Sequence, residues 1–551
     1  MGSQSTFIFH KQEKIGLLDA RDDKENLLEN FIDTGDYYFV RKFDKPERFI
    51  LGRTGSGKTA LITKLIADEK HVISIEPESL SLIYISNTTI IKELNKLGVN
   101  FDLMFRYLWR HVLAVEVLND YYKSNDPEAK DIVNRLKDKF RKFNPHNNQS
   151  TGLIYLDNYG SSFWENTQTR IKEIVSTFEN SIDSELGSSV PHLLAKVKAQ
   201  KALTEEQRGE VVRRAQNVIN ETQVKGLAEI LHSLNDAIDN RRENYYIVID
   251  RLDENWVEDE LRYRLILALL ETIKDFSIVE RVKPLVVLRS DLISRVFDMT
   301  RTPGFQEEKF SSLNIHISWS KAQLTTMLNQ RVNSMIQRQC SGSSTTHKDV
   351  LVPTVHSQKT IDYMLDRTLL RPRDLISFYN FCIEEANDAI YIDENMVLQA
   401  EHNYSRNRRN SIRDEWAEDY PNLGYWDKIL HNSYSEFYAS EIKNEDIQKL
   451  CQQYDKARMT KRRFPKDLIY EQLHYMQCGE IDLEAFVTFL LQAFYQVGYL
   501  GIKLPNYENP IWSHEPRSIL HIEELKDNPV FYVHKCFWSC FNIQPVTTVY
   551  G

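Results

Sequence analysis

The chain has 551 residues, 42% of them hydrophobic and 27% charged, with a formal net charge of -10. That length exceeds what one hydrophobic core supports and implies several domains, while the acid excess excludes a generally basic surface and leaves only local patches for any nucleic acid. No apolar run approaches the roughly 20 residues of a membrane span and the N-terminus lacks a signal-peptide core, so a cytoplasmic protein with no membrane partner is expected.

Arg48-Phe49-Ile50-Leu51 reads as a short buried strand. Gly52-Arg53-Thr54-Gly55-Ser56-Gly57-Lys58-Thr59 follows and matches G-x-x-x-x-G-K-[ST]. In this pattern, the P-loop or Walker A, glycines let main-chain N–H groups curl around phosphate oxygens where a Cβ would collide. All eight residues are therefore expected at a nucleotide, with Lys58 reaching the β- and γ-phosphates and Thr59 offering its hydroxyl to Mg²⁺. Ala60, Leu61, Ile62, Leu65 and Ile66 then fall at helical spacing, which completes the strand, loop and helix that the motif requires.

The next acidic strand is too far along the chain for an ordinary connection, so a helical insertion is expected at about 101–240. Ile171, Ile174, Val175, Phe178 and Ile182 share one face, and Val224, Leu227, Leu231, Leu234 and Ile238 form a short seam. Residues 139–152 read as an exposed loop.

Tyr245 to Ile249 is a continuous apolar, β-rich run that ends in Asp250, with Asp253 and Glu254 just beyond. A P-loop needs a second, acidic strand for its metal: Asp250 is expected to hold Mg²⁺, and Glu254 or Asp253 to polarise the attacking water. Pro284 to Leu288 is a third strand ending in Arg289, Ser290 and Asp291, where a side chain is placed to touch a γ-phosphate. Leu313 to Trp319 reads as a fourth strand before an amphipathic helix. Arg371 and Arg373 then open another helix, with Leu375, Ile376, Tyr379 and Cys382 as its buried face.

Together, GRTGSGKT, IDRLDE, VVLRSD, NIHISW and RPRDL resemble the AAA+-like and STAND branch of P-loop ATPases, which includes origin-recognition-type and NACHT-type proteins. The resemblance implies that Mg²⁺-dependent ATP hydrolysis drives a conformational or assembly switch. It places Arg289 or Ser290 as sensor 1 and Arg373 as sensor 2 on a helical lid, and suggests a homo-oligomer or an effector protein as partner. Arg251 stands where NACHT-type proteins carry a small residue. As a whole the chain also resembles a bacterial family of single-chain P-loop ATPases, some members of which are linked with phage defence. The alternative reading is a nucleotide-dependent interaction scaffold with little turnover.

Beyond residue 400 two basic runs, Tyr404 to Trp416 and Lys456 to Lys466, are the local candidates for nucleic-acid contact. A strongly apolar helix, a strand, a long turn and a returning strand then suggest a winged-helix-like end. His534, Cys536 and Cys540 have no common metal spacing, and the six cysteines are expected to be reduced core residues. The expected fold class is thus α/β: a P-loop NTPase parallel sheet with a large helical insertion, a helical lid and a winged-helix-like C-terminal module. The expected domains are an N-terminal segment (1–40), a core (41–320), a lid (321–400), a helical connector (401–465) and the C-terminal module (466–551).

Overall fold

The computed structural model describes residues 7–80, 89–122, 203–217, 243–301, 307–340, 344–460, 467–515 and 529–546, apart from 255, 258 and 506, together with 172, 175–176, 178–185 and 197. The chain divides into two compact units. One comprises Met1–Thr34, Arg53–Thr63 and Ile317–Gly551, here the helical unit; the other, the sheet unit, comprises Gly35–Gly52 and Lys64–His316.

The sheet unit is built on β1 (Phe49–Leu51), β2 (Val72–Ile75), β3 (Tyr245–Ile249), β4 (Val282–Leu288) and β5 (Asn314–His316). They pair in parallel in the order β2-β3-β4-β1-β5. Every residue of β1, β3 and β4 is buried, as expected for unbroken apolar strands inside a parallel sheet. From β1 the chain runs to β2 at one end of the sheet, and from β4 it passes β1 to reach β5 at the other. Such a reversal leaves a crevice outside the carboxyl ends of the strands. Because the strands are parallel, Gly52, Glu76, Asp250 and Arg289 all leave from that one edge, with Leu51 opposite Leu288 and Ile249 opposite both Val286 and Ile75. The fourth strand is shorter than its sequence suggests: only Asn314–His316 pairs, and the chain leaves the ladder before Trp319.

Helix α1 (Lys58–Asp68) begins inside the glycine-rich octet. In the sheet unit α2 (Asp102–Tyr122) packs on α3 (Asp259–Asp275), where the Trp109 indole donates to the Leu265 carbonyl at 2.8 Å and Arg106 meets Asp275 at 2.7 Å. The opening of the expected insertion thus shares the core of the sheet. Val175, Phe178 and Ile182 are buried there too. Ile171, Ile174, the seam from 224 to 238 and the loop 139–152 lie outside the described residues. Helix α4 (Ser290–Thr300) follows β4.

In the helical unit the N-terminal segment pairs with a distant turn: Phe9 donates to Ala389 O and accepts from Asp388 N, each at 2.8 Å. Arg331 on α5 (Lys321–Gln339) meets Asp23 at 2.7 Å, both side chains buried. Helices α6 (Pro372–Glu385) and α7 (Glu394–Glu415) pack closely, with the Phe378 and Tyr404 rings stacked at 4.8 Å. After them come β6 (Glu436–Tyr438), α8 (Asn444–Thr460), α9 (Leu468–Gln477), α10 (Leu483–Val497), β7 (Leu500–Lys503), β8 (Ile511–Trp512) and β9 (Val530–Val533). The strands form an antiparallel sheet in the order β8-β7-β9-β6, which joins residues 436–438 to the C-terminal strands.

Of the six free cysteines, Cys382, Cys451 and Cys536 are buried; Cys340 and Cys540 are half-buried and Cys478 is exposed, so core packing describes only the first three. Among the described residues no helix is long and apolar enough to cross a membrane.

Candidate functional site

The glycine-rich octet leaves β1 at Gly52, whose N–H donates to Leu288 O at 3.3 Å. From Arg53 onward its hydrogen bonds within the helical unit follow one pattern: the carbonyls are taken. Arg53 O accepts from Lys58 Nζ at 3.0 Å and from Ser56 N at 3.2 Å. Thr54 O accepts from Arg371 Nη1 at 2.9 Å, Gly55 O from Arg373 N at 3.5 Å, Ser56 O from Trp319 Nε1 at 2.8 Å, and Gly57 O from Leu61 N at 3.0 Å.

In a planar trans peptide the next residue's N–H points opposite the carbonyl. Each of these carbonyls therefore turns the N–H that follows it, on Gly55, Gly57 or Lys58, away from the carbonyl's own partner. Gly55 (φ +78°) and Gly57 (φ +103°) adopt left-handed geometry to make this path. A Cβ on Gly55 would sit 2.9 Å from Arg373 Cβ, and on Gly57 3.7 Å from the Trp319 ring. Ser56 Oγ is buried and, among the described residues, has no hydrogen-bond partner. The Thr59 carbonyl accepts from Thr63 Oγ1 at 2.8 Å within α1.

Arg373, expected as a phosphate sensor, donates from Nε to Leu18 O at 3.0 Å and lies along Gly55. Burial, and then the nearby Arg408, push its pKa down. The side chain that holds the loop is instead Arg371, the N-cap of α6, in extended geometry before Pro372 at the helix start. It is buried, and Nη1 also lies 3.4 Å from Glu415, which meets Arg408 at 3.5 Å; Arg408 in turn is 3.4 Å from Asp374. Trp319 and Arg371 were not expected to hold the loop; the tryptophan next to a strand end was the one hint in the sequence.

At the carboxyl edge of the sheet unit, Asp250 accepts from Arg251 N at 2.9 Å. Arg251 has φ +62°, rare for a side chain of its size and most often met at functional turns. Its guanidinium stands 3.5 Å from both Glu76 and Glu254. Glu254 N donates to Arg251 O at 3.2 Å, and Glu254 O accepts from Trp256 N at 3.0 Å and from the buried Arg262 at 3.4 Å, so main-chain bonds set the turn. The side chains of Asp253 and Glu254 are exposed. Arg289, which N-caps α4, holds Asp291 through both Nε (3.1 Å) and Nη2 (2.7 Å) and is 3.9 Å from Asp253. Ser290 opens α4 and its carbonyl accepts from Ser294 Oγ at 3.2 Å. On α4 and just beyond it, Arg295 donates to Tyr263 OH at 3.4 Å, and the exposed Arg301 lies 3.5 Å from Glu307.

The basic run 404–416 is an internal ion-pair surface. Tyr404, Arg408 and Ile412 form a buried stripe, while Arg409 (2.6 Å) and Arg413 (3.1 Å) converge on the fully buried Asp427. That spends the charges most suited to a phosphate backbone. Of the second run, Lys456 to Lys466, residues 456–460 end α8 and 461–466 lie outside the described residues. His534 and Cys536 are buried, with His534 Nδ1 accepting from Cys536 N at 3.1 Å. Among the described residues no group of three or more His, Cys, Asp or Glu is arranged to hold a metal ion.

Fold and loop together define an α/β protein with a five-stranded parallel sheet, many helices and a glycine-rich loop whose carbonyls are held by other groups. Residues 322–413, from the start of α5 to the end of α7, match the model of the FunZ-associated C-terminal helical domain. Among curated proteins none matches the chain.

Proposed function

We propose that the octet is a P-loop that binds ATP with Mg²⁺, and that hydrolysis of the bound nucleotide switches the state of the helical unit. The observation that carries this reading is the engagement of the loop carbonyls by other donors, which supports main-chain N–H groups facing a phosphate. The donor set suits the metal, because Mg²⁺ takes one or two protein oxygens and completes its shell with phosphates and water. Thr59 and Asp250 are the oxygens proposed to hold it. When bound, the ion neutralises charge on the phosphates. Glu254 or Asp253 orients the attacking water, and Arg289 or Ser290 and Arg373 respond to the γ-phosphate.

The order of elements after residue 436, one strand, three helices and then antiparallel strands, supports reading the end of the chain as a winged-helix-like module. Its longest apolar helix, α10, carries no Lys or Arg, which favours a protein partner, a second copy or an effector, over a DNA groove. The FunZ-associated helical domain is a loose link to phage-defence systems, and antiviral defence is the biological setting we propose.

One observation favours the alternative, a scaffold that holds ATP with little turnover: Asp253 and Glu254 are exposed, and Arg289 is committed to Asp291. Single-turnover hydrolysis by the wild type and Glu254→Gln decides between them. The switch predicts that wild type releases phosphate while the variant retains ATP. If wild type and variant retain ATP alike, the scaffold stands.

A further inference from the structure

Within the helical unit, Arg53 belongs to two structures at once. Its carbonyl lies in the loop, tied to Lys58 and Ser56. Its side chain leaves the loop altogether: Nη2 donates to Gln496 O at 3.0 Å and to Ser513 O at 2.9 Å. Gln496 is in the last turn of α10, where carbonyls have no partner inside the helix. Gly498 closes that helix in left-handed geometry, its N–H going to Phe494 and Tyr495, so the Gln496 carbonyl is left for Arg53 and, at 3.5 Å, for Ser513 Oγ. A guanidinium placed there supplies the hydrogen bond and meets the negative end of the helix dipole. Ser513 directly follows β8. One side chain therefore pins the end of α10 and the end of β8 to the loop. The fit is close, since a Cβ on Gly498 would lie 3.4 Å from Arg53 Nη1.

A second observation agrees. The loop segment Arg53–Thr63 makes its contacts as part of the unit that holds residues 317–551. Nothing in phosphate binding requires a long side chain at Arg53, because an anion-binding nest uses main chain only.

We propose that Arg53 is a latch through which phosphate on the loop controls how firmly the C-terminal module is held. This rests on the reading of the loop as a triphosphate site. Phosphate binding draws on Lys58 and the loop amides, and both are bonded to or adjoin the Arg53 peptide. A shift of that peptide is carried along the arginine to two main-chain carbonyls, whose hydrogen bonds weaken steeply with angle. The latch thus reports the state of the loop to α10 and β8 without any contact between nucleotide and module.

Hydrogen exchange on the full chain tests it, with wild type, Arg53→Ala and Arg53→Lys compared with and without Mg·ATP. Without nucleotide, Arg53→Ala should speed exchange around Gln496 and Ser513 about tenfold, the opening expected on losing charge-assisted hydrogen bonds. Arg53→Lys, which keeps the charge but reaches only one carbonyl, should fall between, and it serves alone should the alanine variant not fold. Mg·ATP should alter exchange at both places in wild type and at neither in Arg53→Ala. Wild-type rates in both variants, or a nucleotide response that survives Arg53→Ala, would overturn the latch. Calorimetry on the same wild-type sample separates the two claims. If no ATP binds, the reading of the loop falls and the coupling with it; if ATP binds and these amides do not respond, the latch alone falls.

Discussion

Arg371 and Thr54 are joined by a 2.9 Å hydrogen bond from Nη1 to the carbonyl, which makes the cap of α6 a structural part of the glycine-rich loop. The same guanidinium stands against Glu415 in a buried chain of charges that runs on to Arg408 and Asp374. Removing one member of a buried ion pair strands the other. Arg371→Ala should therefore cost about 3–5 kcal/mol in urea denaturation. Arg371→Lys keeps the charge and loses the planar donor, so it should weaken ATP binding about tenfold with a smaller loss of stability. Equal ATP affinity in wild type and Arg371→Lys would show that the Thr54 contact is irrelevant to the site.

Trp319 makes the matching contact on Ser56, and its ring covers Gly57. Trp319→Phe preserves the ring against the glycine but removes the indole donor. The expected loss is about 1 kcal/mol in urea denaturation, with ATP bound up to roughly fivefold more weakly. Any indole fluorescence change on adding Mg·ATP should shrink in the same variant. A variant that binds as tightly as wild type would remove Trp319 from the site.

These two contacts mark the limit of what the sequence shows. The apolar runs that became β1, β3 and β4 were legible because a strand buried on both faces needs an unbroken run. The octet was legible from its glycines, and α1 from its helical period. Which remote side chain meets which loop carbonyl depends on the path of the whole chain. In Arg371-Pro372-Arg373 the proline at the helix start leaves Arg371 extended while Arg373 enters the first turn, so two arginines a residue apart go to different places. The run at 404–416 held a readable warning, since Arg408 falls four residues from both Tyr404 and Ile412, on the buried face. The pairing of β6 with β9 spans nearly a hundred residues and left no local signal.

Gly55→Ala tests the shape of the loop. The new methyl would meet Arg373 Cβ at 2.9 Å and would have to adopt φ +78°. A loss of about 1–3 kcal/mol in thermal or urea unfolding is expected, together with loss of ATP binding. Arg373→Gly in the same chain removes that Cβ and leaves the backbone cost, so rescue should be partial. Full stability in the single variant would show that the loop is not held as described.

Acid should destabilise the helical unit earlier than its carboxylates alone would. Burial holds His534 down to about 3, against Asp366 and with Lys535, Arg371 and Arg367 nearby. His514 is held far below its ordinary value by burial, then by His534, Arg53 and Arg371. Both are neutral in the fold and become protonated in the unfolded chain below about pH 6.5, so the unfolded state binds more protons and stability falls as pH drops from there. Each group contributes a slope of up to about 1.4 kcal/mol per pH unit, which for His534 continues to about pH 3. Urea denaturation at pH 7 and pH 5 should show a larger loss for wild type than for His514→Gln. Equal losses would mean that His514 is solvated in the folded chain.

The central claim is that the loop from Gly52 to Thr59 grips a triphosphate through main-chain N–H groups and the Lys58 ammonium. Isothermal titration of Mg·ATP into the full chain, wild type beside Lys58→Ala, tests it most directly. The account predicts one site per chain in wild type and an affinity at least about 100-fold weaker in the variant, a difference of about 2.8 kcal/mol. Absence of binding to a folded wild type, or equal binding by both proteins, would contradict it.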